Sequence, residues 1–129
     1  VIVLDASAVL TLVQGEPGEQ RVRQALDEEP VLSAATLAEV LGKGADRGLE
    51  VEDQEALLAA LGIRVEPVTA EDARLSARLR SLDTIDGAPV LSLGDRLCLA
   101  LTWRLDVVVL TADRVWDELE LPVIVELLR

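Results

Sequence analysis

Histidine, tyrosine, phenylalanine and methionine are all missing from this 129-residue chain, and cysteine occurs once. Each absence removes a chemistry. Without histidine there is no Ser-His-Asp relay, no imidazole acid or base, and no His-ligated zinc. A single thiol makes neither an internal disulfide nor a cysteine cage for metal, which fits a reducing, cytoplasmic setting. Cys98 stands among Leu97, Leu99 and Leu101 and reads as packing rather than as a nucleophile. The apolar opening is broken at Asp5, too early for a secretory leader or a membrane span. Bases are scarce as well: twelve, all but one of them arginine, against twenty-four acids, for a net charge of −12. A field of that sign repels polyanions at long range and excludes a nonspecific nucleic-acid coat. A nuclease stays compatible with it only if divalent cations offset part of the acid.

Half the residues are hydrophobic and 28% are charged, the profile of a folded chain, and the length predicts a single domain over 1–129. The runs at 1–4 and 107–111 are apolar almost throughout, as parallel strands buried on both faces are. Strands are also expected at 30–33, 63–68 and 122–127. Helices are expected at 17–29, 36–48, 51–62, 70–82, 91–105 and 113–119, with Gly42 and Gly44 fraying the second of these and 83–90 a loop. In the helix at 70–82, Ala73, Leu75, Leu79 and Leu82 are expected to face inward. Strands alternating with helices predict an α/β fold, with a mainly parallel sheet between helical layers and ligands bound beyond the carboxyl ends of its strands.

Two acids stand at such ends: Asp5 in "VIVLDAS" and Asp113 in "VVVLTAD". Two more, Glu39 in "SAATLAEV" and Asp95 in "LSLGDRL", lie near helix starts with apolar neighbours. The plain alternative is capping, since "TLAE" and "SLGD" fit the capping box and Asp5 or Asp113 can cap the helix that follows it. Gathered at one sheet edge, four carboxylates repel one another unless a cation joins them. Oxygen ligands without histidine or cysteine favour Mg2+ or Mn2+ over zinc. One such ion can take a substrate phosphate as a further ligand, and two can stabilise both the attacking and the leaving oxygen of a phosphodiester.

The segments "VIVLDASAVLTL", "SAATLAEVLGK", "LSLGDRLCLAL" and "VVVLTADRVW" together resemble the four acidic motifs of the PIN-domain family, in particular its VapC-type toxin ribonucleases. They match in order over nearly the whole chain. The resemblance implies a parallel five-stranded sheet in an α/β/α arrangement and a Mg2+- or Mn2+-dependent endoribonuclease leaving 5′ phosphates. Its catalytic and metal-holding residues would be Asp5, Glu39, Asp95 and Asp113. Ser7 and Thr111 match small hydroxyl residues of the family, and Asp117 an acid found in some members only. An RNA substrate, a homodimer and an antitoxin with a basic tail are implied with it.

Lys43, Arg96 and Arg114 lie next to, or one turn from, these acids and are candidates for RNA phosphate contacts, with surface charge as the alternative. Of the two tryptophans, Trp103 reads as core, while Trp116 could be core or a base-stacking surface. The leucine- and alanine-rich helices at 36–48 and 51–62 could offer a groove to a partner. Two rival functions remain at this stage. A phosphoryl-transfer protein would use Asp5 as nucleophile, although Ser7 stands where a second acid is wanted. A catalytically silent PIN-like scaffold would keep the pocket only to bind partners.

Overall fold

The structure, a computed structural model, describes residues 1–129. In chain order its elements are β1 (Ile2–Leu4), α1 (Ala6–Gln14), α2 (Glu19–Ala25), β2 (Pro30–Ser33), α3 (Ala34–Asp46), α4 (Val51–Ala60) and β3 (Arg64–Glu66). They continue with α5 (Ala70–Leu79), β4 (Thr84–Ile85), β5 (Ala88–Pro89), α6 (Leu93–Leu105), β6 (Val108–Thr111), α7 (Val115–Glu118) and β7 (Ile124–Leu127). Five of the strands form one parallel sheet in the order β3-β2-β1-β6-β7. From β1 the chain moves outward through β2 and β3, then returns to the other side of β1 as β6. The order therefore reverses between β1 and β6, and a crevice opens at the carboxyl ends of strands where such a reversal occurs.

The continuous apolar strands are explained by burial on both faces. Ile2, Leu4, Leu32 and Leu110 point to one side and pack with Val9, Leu12, Val22 and Leu58 from α1, α2 and α4. Val3, Val31 and Val109 point to the other side, against Leu79, Leu99, Leu101 and Trp116 from α5, α6 and α7. Each such side chain contributes about 2 kcal/mol through removal from water, and the period of two along a strand distributes them between the layers. The result is a three-layer α/β/α architecture. No helix is long and apolar enough to cross a membrane.

Several expectations are corrected. The first expected helix is shorter: α2 stops at Ala25, and the turn after it puts Glu29 at φ 53°. Gly42 and Gly44 do not fray α3, which runs on to Asp46. On α5 the inward stripe is Asp72, Leu75, Ser76 and Leu79, while Ala73 and Leu82 are exposed. Asp72 can take an inward place because Arg104 pairs with it at 2.6 Å, and Leu82 lies beyond the end of the helix. The expected loop at 83–90 holds a hairpin of β4 and β5, whose Asp86 and Gly87 both have positive φ, as a type I′ turn requires. Gly18 is needed for two reasons: its φ is 98°, and a Cβ there would stand 2.8 Å from the carbonyl oxygen of Leu128, where the chain end crosses the start of α2.

Candidate active site

The register of the two central strands builds the site. Leu4 lies opposite Leu110, and the amide of Asp5 donates to the carbonyl of Leu110 at 3.2 Å. Asp5 and Thr111 therefore leave the sheet side by side at the reversal point. Asp5 also caps α1, its Oδ1 accepting from the Ala8 amide at 2.8 Å and from Ser7 Oγ at 2.7 Å. Thr111 Oγ1 donates to Oδ2 at 2.6 Å. Both hydroxyls are themselves held in place, Ser7 Oγ by the Ala112 amide at 2.8 Å and Thr111 Oγ1 by the Asp113 amide at 2.9 Å. A carboxylate has about four acceptor positions; three are filled, leaving one on Oδ2.

Asp5 is only 6% exposed, and no cation pairs with it. Burial pushes its pKa above the usual carboxylate range, the three hydrogen bonds oppose that rise, and the negative charge of Asp95 adds to it. Asp95 sits in the first turn of α6 in a capping box with Ser92, with both reciprocal bonds present at 3.0 and 3.1 Å. Its second bond uses Oδ2. Burial raises Asp95 as well, and Asp113 contributes in the same direction.

Glu39 is different. The cap of α3 is Ser33, whose Oγ accepts from the Ala35 amide, so Thr36 and Glu39 do not form the capping box that "TLAE" offers. Glu39 is half-buried, raised first by burial and then by Asp95, with Asp5 adding to the rise and Lys43 opposing it. Asp113 accepts the Val115 amide on Oδ1 at 3.0 Å. Asp95 is thus the hub of the group, coupled electrostatically to Asp5, Glu39 and Asp113. Capping and clustering are not alternatives here, because Asp5 and Asp95 do both.

The side chains do not close on one another: no three of them are grouped as a ready-made metal shell. The donor set nevertheless fits a hard divalent ion. It is all carboxylate and hydroxyl oxygen, it is partly desolvated, and no arginine or lysine forms an ion pair with any of the four acids.

The remaining sequence candidates divide. Lys43 is exposed, and its charge reaches Glu39 and Asp95. Arg96 instead reaches to α5, where Nη1 donates to the Ser76 carbonyl at 3.3 Å. Arg114 and Asp117 are exposed on and beside α7. Trp116 is 1% exposed and belongs to the core, so base stacking is not open to it, whereas Trp103 packs half-buried at the edge of that core. Sequence reasoning missed the floor of the site. The Cys98 thiol is buried, and burial pushes its pKa well up, with Asp5, Asp95 and Glu39 adding to the rise. It is a neutral, inert base to the acidic group.

The model of the PIN domain matches residues 2–121. Ribonuclease VapC42 of Mycobacterium tuberculosis is 34% identical over 106 residues, covering 78% of this chain and 81% of that protein. FitAcB from Neisseria gonorrhoeae superposes with a TM-score of 0.68 at 25% identity, over 97% of this chain and 96% of that one. A toxin-antitoxin complex from Klebsiella pneumoniae shares the fold, with a TM-score of 0.66 at 19% identity and 88% of each chain covered. Such a family leaves the phosphoryl-transfer reading of Asp5 without support. From its motifs, its sheet order and these similarities, the chain belongs to the PIN domain family and groups within it with the VapC ribonucleases.

Proposed function

We propose that this protein is a Mg2+- or Mn2+-dependent endoribonuclease and the toxin of a toxin–antitoxin pair. One feature supports the reading above all: Asp5, Glu39, Asp95 and Asp113 act on one another electrostatically near a strand-order reversal, partly buried, with no cation of the chain paired to them. Asp5, Asp95 and Asp113 would hold one or two ions, and Glu39 would hold the second or orient the attacking water. A bound ion supplies charge neutralisation and stabilises the attacking and leaving oxygens of the phosphodiester. Ser7 and Thr111 fix the Asp5 carboxylate in orientation and favour its ionised form. Lys43 and Arg114, both exposed, would grip flanking phosphates, whereas Arg96 is committed to Ser76. Products would carry 5′ phosphates. Asp117, whose side chain makes no hydrogen bond, is at most an auxiliary to this set.

A groove between α1, α3 and α4 supports the partner half of the reading. Leu10, Val13, Val40, Leu49 and Leu57 line it, and Val13, Leu49 and Leu57 are 45–50% exposed. An antitoxin segment would cover it, as apolar surface of this kind marks interaction sites, and a homodimer is proposed alongside.

The test is calorimetric titration with MnCl2 followed by incubation with structured tRNA and rRNA substrates and mapping of the product ends. Saturable Mn2+ binding and metal-dependent cuts with 5′ phosphates are expected. Binding with no cleavage of any substrate points instead to the silent scaffold, and absence of binding removes the metal site altogether.

A further inference from the structure

Gly94 is the second residue of α6 and directly precedes Asp95. Its φ is not positive, so backbone geometry does not require glycine there, and glycine is a poorer helix residue than alanine. The position uses the missing side chain instead. A Cβ on Gly94 would overlap Oε1 of Glu39 and stand 2.9 Å from its Cδ. The Glu39 carboxylate, arriving from α3, fills the space over the first turn of α6 that any other residue would take. Its acidic neighbours Asp95 and Asp5 repel it there, with Lys43 opposing them. Gly42, on α3, makes the contrast: nothing lies within 4 Å of where its Cβ would be.

We propose that Gly94 is a positioning residue of the acidic site, whose bare Cα lets the Glu39 carboxylate reach Asp95 so that the two can share a divalent cation. This rests on the metal-site reading above. The atoms in the way are the tip of a flexible side chain and not backbone, so Gly94→Ala evicts the carboxylate without disturbing the fold. Function and helix stability are opposed at this residue.

The test titrates Mn2+ calorimetrically into the intact chain and melts each variant. Gly94→Ala is expected to weaken Mn2+ binding about 10-fold or more while melting at or above the wild-type temperature. Gly42→Ala is expected to bind Mn2+ as the wild type does. Glu39→Asp withdraws the carboxylate by one methylene, leaving less to evict, so adding Gly94→Ala on that background is expected to cost no more than about twofold. Equal affinity for wild type and Gly94→Ala overturns the proposal. So does an equal loss in both backgrounds, or a Gly94→Ala chain that melts well below wild type, since either outcome makes the role structural. A wild-type chain that binds no Mn2+ overturns the metal-site reading itself, and this proposal with it.

Discussion

Asp5 and Asp72 are both buried aspartates at helix starts, 6% and 1% exposed, and both accept backbone amides. They differ in what answers their charge. Asp72 receives the Arg104 guanidinium on both oxygens, at 2.6 and 3.2 Å. Asp5 receives two hydroxyls and an amide, and the charge that acts on it is that of another acid, Asp95. One helix serves both: α6 carries Asp95 in its first turn and Arg104 in its last. At one end it neutralises a structural carboxylate, and at the other it adds negative charge to a site already short of cations. The chain closes its own ion pair where only packing is at stake, and leaves the charge open at the site proposed to take an outside cation.

Asp5→Asn tests that contrast with the largest expected effect. The amide keeps the shape but removes a ligand and a buried charge, so metal-dependent cleavage is expected to fall by roughly 100-fold or more. Melting temperature should hold or rise, because an uncompensated buried charge has gone. Single-turnover cleavage and thermal melting on the same preparation check both halves. A variant that melts early would make Asp5 another structural acid and dissolve the comparison.

Asp72→Asn should do the reverse. Breaking a buried pair strands its partner, which costs about 3–5 kcal/mol when both groups are fully buried. Arg104 keeps 24% of its side-chain surface, so a loss of about 2–3 kcal/mol is expected by urea unfolding. Mn2+ affinity should stay unchanged, because Asp72 belongs to the α5–α6 contact and not to the site. A matching loss of affinity would show that the two ends of α6 are coupled.

Much of this difference was legible in the sequence, and its limits have physical causes. Apolar runs ending in Asp5 and Asp113 announced strands buried on both faces, because the period of two in the sheet leaves no solvated side. The four acids proposed for the site stood out by their apolar surroundings. Asp72 could not be separated from the exposed acids near it, since its partner Arg104 lies thirty-two residues away and meets it only through helix packing. The same reason hid the inward place of Ser76, which takes up Arg96. Trp116 was ambiguous because a seven-residue segment does not reveal which side of a short helix faces the core. Gly94 carried no signal at all: a glycine beside an aspartate gives no hint that a glutamate fifty-five residues earlier occupies the space above it.

The smallest expected effect is on stability against pH, and its sign separates the two regions. Asp5, Glu39 and Asp95 all have pKa values raised in the fold, each chiefly by burial. Above those raised values they are charged in both states, and the folded state bears the cost. As pH falls through the raised values, the native chain takes up protons before the unfolded chain does, so the metal-free protein gains stability. The gain is complete near the ordinary carboxylate range, at about pH 4. Glu28, lowered by its hydrogen bond to Arg21, works the other way and loses its contribution only below that range. Metal-free melting temperature is therefore expected to rise from pH 7 to pH 5. With saturating Mn2+ the rise should vanish or reverse, since protons then compete with the ion. Relief of the −12 net charge also favours the folded state on acidification, but it acts equally in every variant of like charge. The decisive measurement is consequently a difference of slopes between two variants that each lack one carboxylate: Asp5→Asn should flatten the metal-free rise, and Asp72→Asn should leave it intact. Equal slopes would mean that the desolvated charge resides elsewhere in the fold.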